Sequence, residues 1–493
     1  MTLKRRAVQT AGLAAAVVLV VPATIVLVFA LQARVRLPAL KPWHRITLTS
    51  EFHAGGDDAP KTFEEYRRLE DRLFAELRTR VLGDQSAADR YALGRYNPAS
   101  IPARLALDTP YNRSYELVPD SAPIRGAVLL VHGLSDSPYS MRAIAELFRD
   151  EGFYVLALRL PGHGTIPSGL VDVRWEDWSA AVELAAKHVA QRAGPDHPFY
   201  AGGYSTGAAL TTLYSVRALE DSSLPRPSRL VLVSPAIGIS KAAALTQILA
   251  GLSSIPYFEK SSWIDVVPEY DPYKYNSFPV NAGHQIYKLT GELQRDLNAN
   301  AGAGRLGRMP RILAFQSLVD ATITAREVID GLLDRLPAPG NELVVFDINR
   351  SEALKDLIEP SRVAEFEQLR AAPARSFRLT LITNRDPDSQ EVAAFTREAG
   401  TRDTTETDLT LRWPKGVLSL GHVALPFRVD DPVYGLTPRG DGGLAHPLGS
   451  LTVRGEAGTL VVPLDNLARL RSNPFFSVIQ DRIVAAIEAD RAR

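Results

Sequence analysis

The sequence contains no cysteine in 493 residues. That excludes a disulfide framework, a thiol nucleophile and any cysteine-ligated zinc site. The absence fits an oxidising compartment without requiring one. An excess of either charge is also missing, since 56 basic residues balance 56 acidic ones. A dedicated nucleic-acid binder normally carries a basic excess, so nucleic acid is not an expected partner. Hydrophobic residues make up 45% and charged residues 23%. That is ordinary globular composition and excludes both disorder as the main state and a multi-span membrane protein. No internal repeat and no low-complexity tract is present.

Long apolar runs are absent with one exception. Lys4, Arg5 and Arg6 precede a stretch without charge that lasts until Arg34, and residues 11–31 are almost wholly apolar. As a helix that run would span about 30 Å, the thickness of a bilayer core. Residues 1–36 therefore read as a signal anchor, a single transmembrane helix kinked at Pro22. A cleaved signal peptide usually has a shorter apolar region, and Leu31-Gln32-Ala33 is only a weak cleavage site. A buried core helix is the third reading. The basic cluster keeps the N-terminus in the cytoplasm, which places the rest of the chain on the periplasmic or extracytoplasmic side of an inner membrane.

Residues 37–110 read as a linker followed by one amphipathic helix. Residues 48–61 are rich in Gly, Asp and Ala. Thr62 and Glu65 form a capping-box pattern, after which Phe63, Tyr66, Leu69, Leu73, Leu77 and Val81 recur at helical spacing. From about residue 113 short apolar runs alternate with helical ones. Strands are expected at 113–118, 126–131, 153–158, 198–204, 230–233 and 312–315, and helices at 140–150, 175–192 and 206–219. Such alternation implies an α/β fold, a mostly parallel sheet with helices on both faces. Two stretches break the rhythm. Residues 236–308 hold a helical part near 241–252 and an aromatic, proline-rich part, and read as a small cap insertion. Residues 337–417 hold strand-like runs at 342–347 and 377–383 with charged helical sequence between, and read as an elaboration of the sheet. Residues 111–493 then form one domain.

Gly203-Tyr204-Ser205-Thr206-Gly207 is G-x-S-x-G, set between a strand and a helix. Side chains at 203 and 207 would clash in so sharp a turn, and the turn pushes the Ser205 hydroxyl out beside a helix N-terminus. Ser205 is the candidate nucleophile; the plain alternative is a glycine-rich turn with a serine cap. Acyl transfer also needs donors for a developing oxyanion. His132-Gly133-Leu134 follows a buried strand, so the Leu134 and Thr206 amides are the candidate hole, with His132 as a turn-fixing hydrogen bonder. Of nine histidines, His422 in "GVLSLGHVALPF" is the best base and His446 the next. Asp320 in "SLVDATIT" is the best acid and Asp347 its rival; Asp320 also reads as a helix cap. The order Ser205, Asp320, His422 suits a strand-to-helix nucleophile elbow.

The segments "LLVHGLSDSPYSM", "LALRLPGHG", "RWEDW", "GGYSTG", "SLVDATIT" and "LGHVALPF" together resemble α/β-hydrolase-fold serine hydrolases. Within that fold the chain is most similar to bacterial carboxylesterases, monoacylglycerol lipases and serine-aminopeptidase-like hydrolases. The likeness covers about residues 110–335 and 415–430. It implies a Ser205–His422–Asp320 triad, a Leu134/Thr206 oxyanion hole supported by Gly133, Gly203 and Gly207, and no metal or organic cofactor. The implied substrate is a small ester or lipid, with monoacylglycerols and lysophospholipids as candidates. An amidase, an aminopeptidase or an acyltransferase would use the same residues. A non-catalytic envelope scaffold is the reading from another class. Two departures stand out: 102 residues separate the acid from the histidine, where about thirty are usual, and 71 residues follow His422.

Overall fold

The computed structural model describes residues 35–492 apart from 57, 84–90, 121–122, 239–255, 321, 338, 440–446, 452–461 and 463, together with 24, 28, 31 and 32. The anchor expected at 1–36 lies almost wholly outside the described residues, as does the helical part expected at 241–252. Among the described residues no helix is long and apolar enough to cross a membrane.

One sheet of ten strands organises the protein. Its strands are β1 (Tyr115–Leu117), β2 (Gly126–Val131), β3 (Phe153–Leu158), β4 (Phe199–Tyr204), β5 (Arg229–Val233), β8 (Arg311–Ser317), β9 (Glu342–Phe346), β10 (Arg378–Asn384), β11 (Glu391–Arg397) and β12 (Thr404–Arg412). A separate two-stranded ribbon pairs β6 (Trp263–Asp265) with β7 (Phe278–Pro279). The order across the large sheet is β1-β3-β2-β4-β5-β8-β9-β10-β11-β12. From β3 to β10 every neighbouring pair is parallel, and β1, β11 and β12 pair antiparallel at the edges.

Parallel strands covered on both faces must be apolar throughout, and every residue of β2, β3, β4 and β5 is buried. Alternation then divides each strand between two cores. Leu129, Val131, Leu156 and Leu158 face one; Val128, Leu130, Val155 and Ala157 face the other. The helices Trp175–Ala193, Thr206–Arg217 and Val280–Gly302 close the first core, while Arg142–Asp150 and Phe476–Arg491 close the second. The last helix was not expected from the sequence, although Ile479, Ile483 and Ile487 sit on one face at four-residue spacing and are buried.

The stretch 236–308 differs from a simple cap. Its second half is the long helix Val280–Gly302, whose buried Leu289, Leu293 and Leu297 pack onto the sheet. Arg217 bridges to Glu292 and Asp296 and ties it to the neighbouring helix. It is a crossover between β5 and β8, so the insertion proper ends near Pro279. Residues 337–417 do extend the sheet. The expected runs appear as β9 and β10, and β11 and β12 continue as an antiparallel ribbon. Much of β12 faces solvent, and so strong a polar character hides a strand from any reading based on apolar runs.

Residues 48–61 are not a free linker. Phe52 is buried in the main core. Arg159, fully buried at the end of β3, receives Glu51 on both terminal guanidinium nitrogens at 2.9 and 3.0 Å and Glu70 on Nε at 2.7 Å. Glu70 lies on the helix Phe63–Leu77, whose Thr62–Glu65 capping box is formed. Phe63, Tyr66, Leu69, Leu73, Leu77 and Val81 are all buried. A small, flexible composition suggested a linker because the pairing of Glu51 with a residue 108 positions away leaves no local pattern.

Removing one partner of a buried ion pair strands the other and costs about 3–5 kcal/mol. A chain starting at Leu37 should therefore fold with the full-length melting temperature. A chain starting at residue 61 loses Glu51 and Phe52 and should be insoluble or melt far lower. Equal thermal denaturation curves for the two truncations would contradict this.

Candidate active site

The sheet order reverses between β2 and β4: the chain leaves β2 for β3 on one side, then crosses to β4 on the other. A crevice opens at the C-terminal ends of strands at such a switch. The segment His132-Gly133-Leu134 leaves β2 there, and Ser205 leaves β4.

Ser205 has φ 55° and ψ −114°, a region a non-glycine residue occupies only when its surroundings enforce it. The enforcement is visible. A Cβ on Gly203 would lie 2.3 Å from the carbonyl carbon of Gly207, and a Cβ on Gly207 would lie 2.1 Å from the Val131 oxygen. Both glycines are thus required by the close passage of helix and strand. The Ser205 amide donates to Val233 at 2.9 Å, and its carbonyl accepts from Ala209 and Ala236. These bonds clamp the turn on three sides and leave the side chain at the start of the helix Thr206–Arg217. No backbone acceptor is found for the Leu134 or the Thr206 amide among the described residues.

Asp320 follows β8 in a buried loop. Its Oδ1 accepts from the Thr322 and Ile323 amides at 2.8 and 3.0 Å. Its Oδ2 accepts from His422 Nδ1 at 2.6 Å and from Gln316 Nε2 at 3.1 Å. Burial would raise this carboxyl, but the bond from His422 and the two amides outweigh it and hold the group below the ordinary value. The carboxylate is therefore ionised, and it fixes the tautomer with the proton on His422 Nδ1, leaving Nε2 free to accept. The His422 ring lies 5.1 Å from that of Tyr204, next in sequence to Ser205, and the Tyr204 hydroxyl donates to the His422 carbonyl at 3.4 Å.

The chain regains this point through local anchors at the ends of neighbouring strands. Ile348 bridges Ser419. The Asn349 amide donates to Leu418 at 2.7 Å. Ser317 Oγ donates to the Leu420 carbonyl at 2.6 Å. Ser317, Gln316 and Asn349 were not singled out in the sequence, because short polar residues at strand ends are common and carry no motif. Asp347 does not meet His422. Its oxygens are taken by Arg350 and by Thr383 Oγ1 at 2.7 Å. His446 lies outside the described residues. His132 bonds the Gly133 carbonyl through Nδ1 at 2.8 Å and accepts from the Leu160 amide through Nε2 at 3.0 Å. It holds two loops together, and burial pushes it well below the usual imidazole range.

A sheet that reverses at β2/β4, a strained serine between β4 and its helix, and an aspartate–histidine pair beyond β8 define the architecture. The chain folds as an α/β-hydrolase. A family model described as "Serine aminopeptidase, S33" matches residues 122–301. A thermostable monoacylglycerol lipase of Bacillus sp. (strain H-257) is 30% identical over 172 residues, 35% of this chain. The chain spans only 64% of the length of that curated relative. Among solved structures, a metagenome-derived lipolytic enzyme from the work on LipS and LipT is 22% identical with a TM-score of 0.38, covering 48% of this chain and 89% of its own. The Paleococcus ferrophilus monoacylglycerol lipase is 17% identical with a TM-score of 0.35, covering 47% and 87%. In this chain β9, β10, β11 and β12 all lie between Asp320 and His422.

The two aspartates make a clean comparison. Asp320→Asn should lower ester turnover at least 10³-fold by favouring the wrong histidine tautomer, with the circular dichroism spectrum unchanged. Asp347→Asn should lower the melting temperature and leave the turnover of folded protein within a few-fold. The opposite ranking in kcat would assign the acid to β9.

Proposed function

We propose that the chain is a serine hydrolase that cleaves carboxylic esters through an acyl-enzyme. The observation that carries this reading is Ser205 on its strained turn, at the same sheet edge as the 2.6 Å His422–Asp320 pair. His422 Nε2 takes the Ser205 proton as Oγ attacks the ester carbonyl. The Leu134 and Thr206 amides bind the oxyanion, and Asp320 stabilises the imidazolium as it forms. His422 then protonates the departing alkoxide, and the acyl-enzyme remains. Water attacks that ester with His422 as base, and Ser205 is regenerated. Every step uses groups of this chain, and no cofactor is invoked.

The likeness to a monoacylglycerol lipase favours glycerol esters or related lysophospholipids as substrates. The name of the matching family model favours one further reading, hydrolysis of an aminoacyl amide by the same residues. Ester and amide differ in the leaving group that His422 must protonate, so turnover of p-nitrophenyl esters against aminoacyl anilides separates them.

A fluorophosphonate probe should label the protein at Ser205, and Ser205→Ala should abolish labelling and lower kcat by about 10⁴-fold or more. Full turnover in Ser205→Ala, or a protein that never labels, would refute the mechanism.

The apolar run at 11–31 and the basic cluster before it support an anchor in the inner membrane with the hydrolase on the periplasmic side. A C-terminal reporter should then be active only if it functions outside the cytoplasm. A reporter active only in the cytoplasm would reverse the orientation.

A further inference from the structure

A cavity of about 160 Å³ adjoins Tyr204 and the residue after His422. Three cations border it: Lys274, Arg469 and Arg471. Two of them are committed. Lys274 Nζ lies 3.0 Å from Asp136, a buried carboxylate two residues beyond Leu134. Arg471 is only 14% exposed and reaches Asp271 at 3.8 Å, the Tyr270 hydroxyl at 3.5 Å and the Asn466 carbonyl at 3.3 Å. Through these contacts Arg471 straps the segment 464–471 across the cavity wall. Arg469 rides on that strap and has no ion pair or hydrogen bond among the described residues.

The position of Arg469 is specific. A Cβ placed on Gly421 would lie 3.5 Å from Arg469 Nε and 3.7 Å from one terminal nitrogen. The guanidinium therefore lies against the backbone one residue before His422, and Arg469 and Tyr204 line the same cavity. Its charge has no protein counter-ion among the described residues, and it borders the cavity next to the loop that carries His422. A substrate that brings its own negative charge would supply that counter-ion. Among the described residues Asp265 is the carboxylate on the cavity wall without a cation partner, and burial pushes it up, which weakens it as a competing anion for Arg469.

We propose that Arg469 is a specificity residue and that the site takes esters bearing an anionic group, a carboxylate or a phosphate monoester, which seats on its guanidinium. The inference rests on the Ser205 mechanism and adds the substrate class. A guanidinium offers a planar fork that matches either oxyanion. The group borders the cavity and is exposed to solvent, so the preference should fade as salt rises.

The test compares full-length wild type with Arg469→Gln and Arg469→Lys on two matched pairs of substrates. One pair is p-nitrophenyl hemisuccinate against p-nitrophenyl butyrate, with the charge on the acyl side as a carboxylate. The other is 1-butyrylglycerol 3-phosphate against 1-butyrylglycerol, with the charge on the alcohol side as a phosphate. In wild type the anionic member of at least one pair should have the higher kcat/KM. Arg469→Gln should lower kcat/KM for that anionic ester roughly tenfold and leave its neutral partner within twofold, with Arg469→Lys recovering part of the loss. The pair that responds tells which anion is bound. An equal loss on neutral and anionic esters would make Arg469 merely structural and overturn the proposal, as would the absence of any anionic preference in wild type. Hydrolysis of the neutral esters, abolished in Ser205→Ala, shows that such a failure belongs to this inference alone. No hydrolysis of any ester by wild type would refute the Ser205 mechanism and this inference with it.

Discussion

The hydrogen bond between His422 and Asp320 joins two loops 102 residues apart, and much of the architecture follows from closing that circuit. A chain that must leave the crevice after β8 and return to within 3 Å of its departure point has few options. Here it adds parallel strands β9 and β10 to the growing edge, folds back as β11 and β12, and returns along the strand ends. Each added strand is paired, so the excursion is rigid. Its last anchor, Ser317 Oγ on the Leu420 carbonyl, comes from the strand that supplies Asp320. Asp320 and His422 are therefore both positioned from the end of β8, and a displacement of the outer strands need not separate them.

The serine is held by a different device, backbone strain. Its φ of 55° is imposed by two glycines that let strand and helix approach within contact of bare backbone. The energy that holds the turn comes from the two cores, since β4 and its helix are buried along almost their whole length. Ser205 and His422 thus depend on separate supports, core packing for one and polar anchors for the other.

The parts of this fold readable from sequence are those with a local signature. Buried parallel strands are apolar runs, the helix Phe63–Leu77 has a capping box and a helical stripe, and the nucleophile turn has obligatory glycines. Asp320 follows the apolar run of β8 and His422 follows the apolar run 417–420, and both runs are visible in the sequence. What escaped has no local signature. Glu51 pairs with an arginine far along the chain, so its segment looked like a linker. β12 is an exposed edge with acidic and threonine side chains, and only Leu409 and Leu411 near its end alternate toward the core. The helix Val280–Gly302 was absorbed into a cap because the aromatic, proline-rich stretch before it masks where the insertion ends. Asp136, Gln316 and Ser317 matter only through partners brought by folding.

The start of the described chain is docked as firmly as the rest. Leu40 is buried with Trp263 and Val266 of the insertion, Leu37 packs beside them, and Lys260 Nζ donates to the Leu37 carbonyl at 2.7 Å. His44 adds a contact to Ser277 at 3.1 Å and an edge-on packing against Trp263. The insertion that contributes Tyr270 and Lys274 to the cavity therefore also receives the incoming chain. No slack separates the two, so a pull or tilt applied at Leu37 reaches the cavity wall as through a short lever. A substitution that frees Leu40 or His44 from the insertion would therefore also loosen one wall of the cavity.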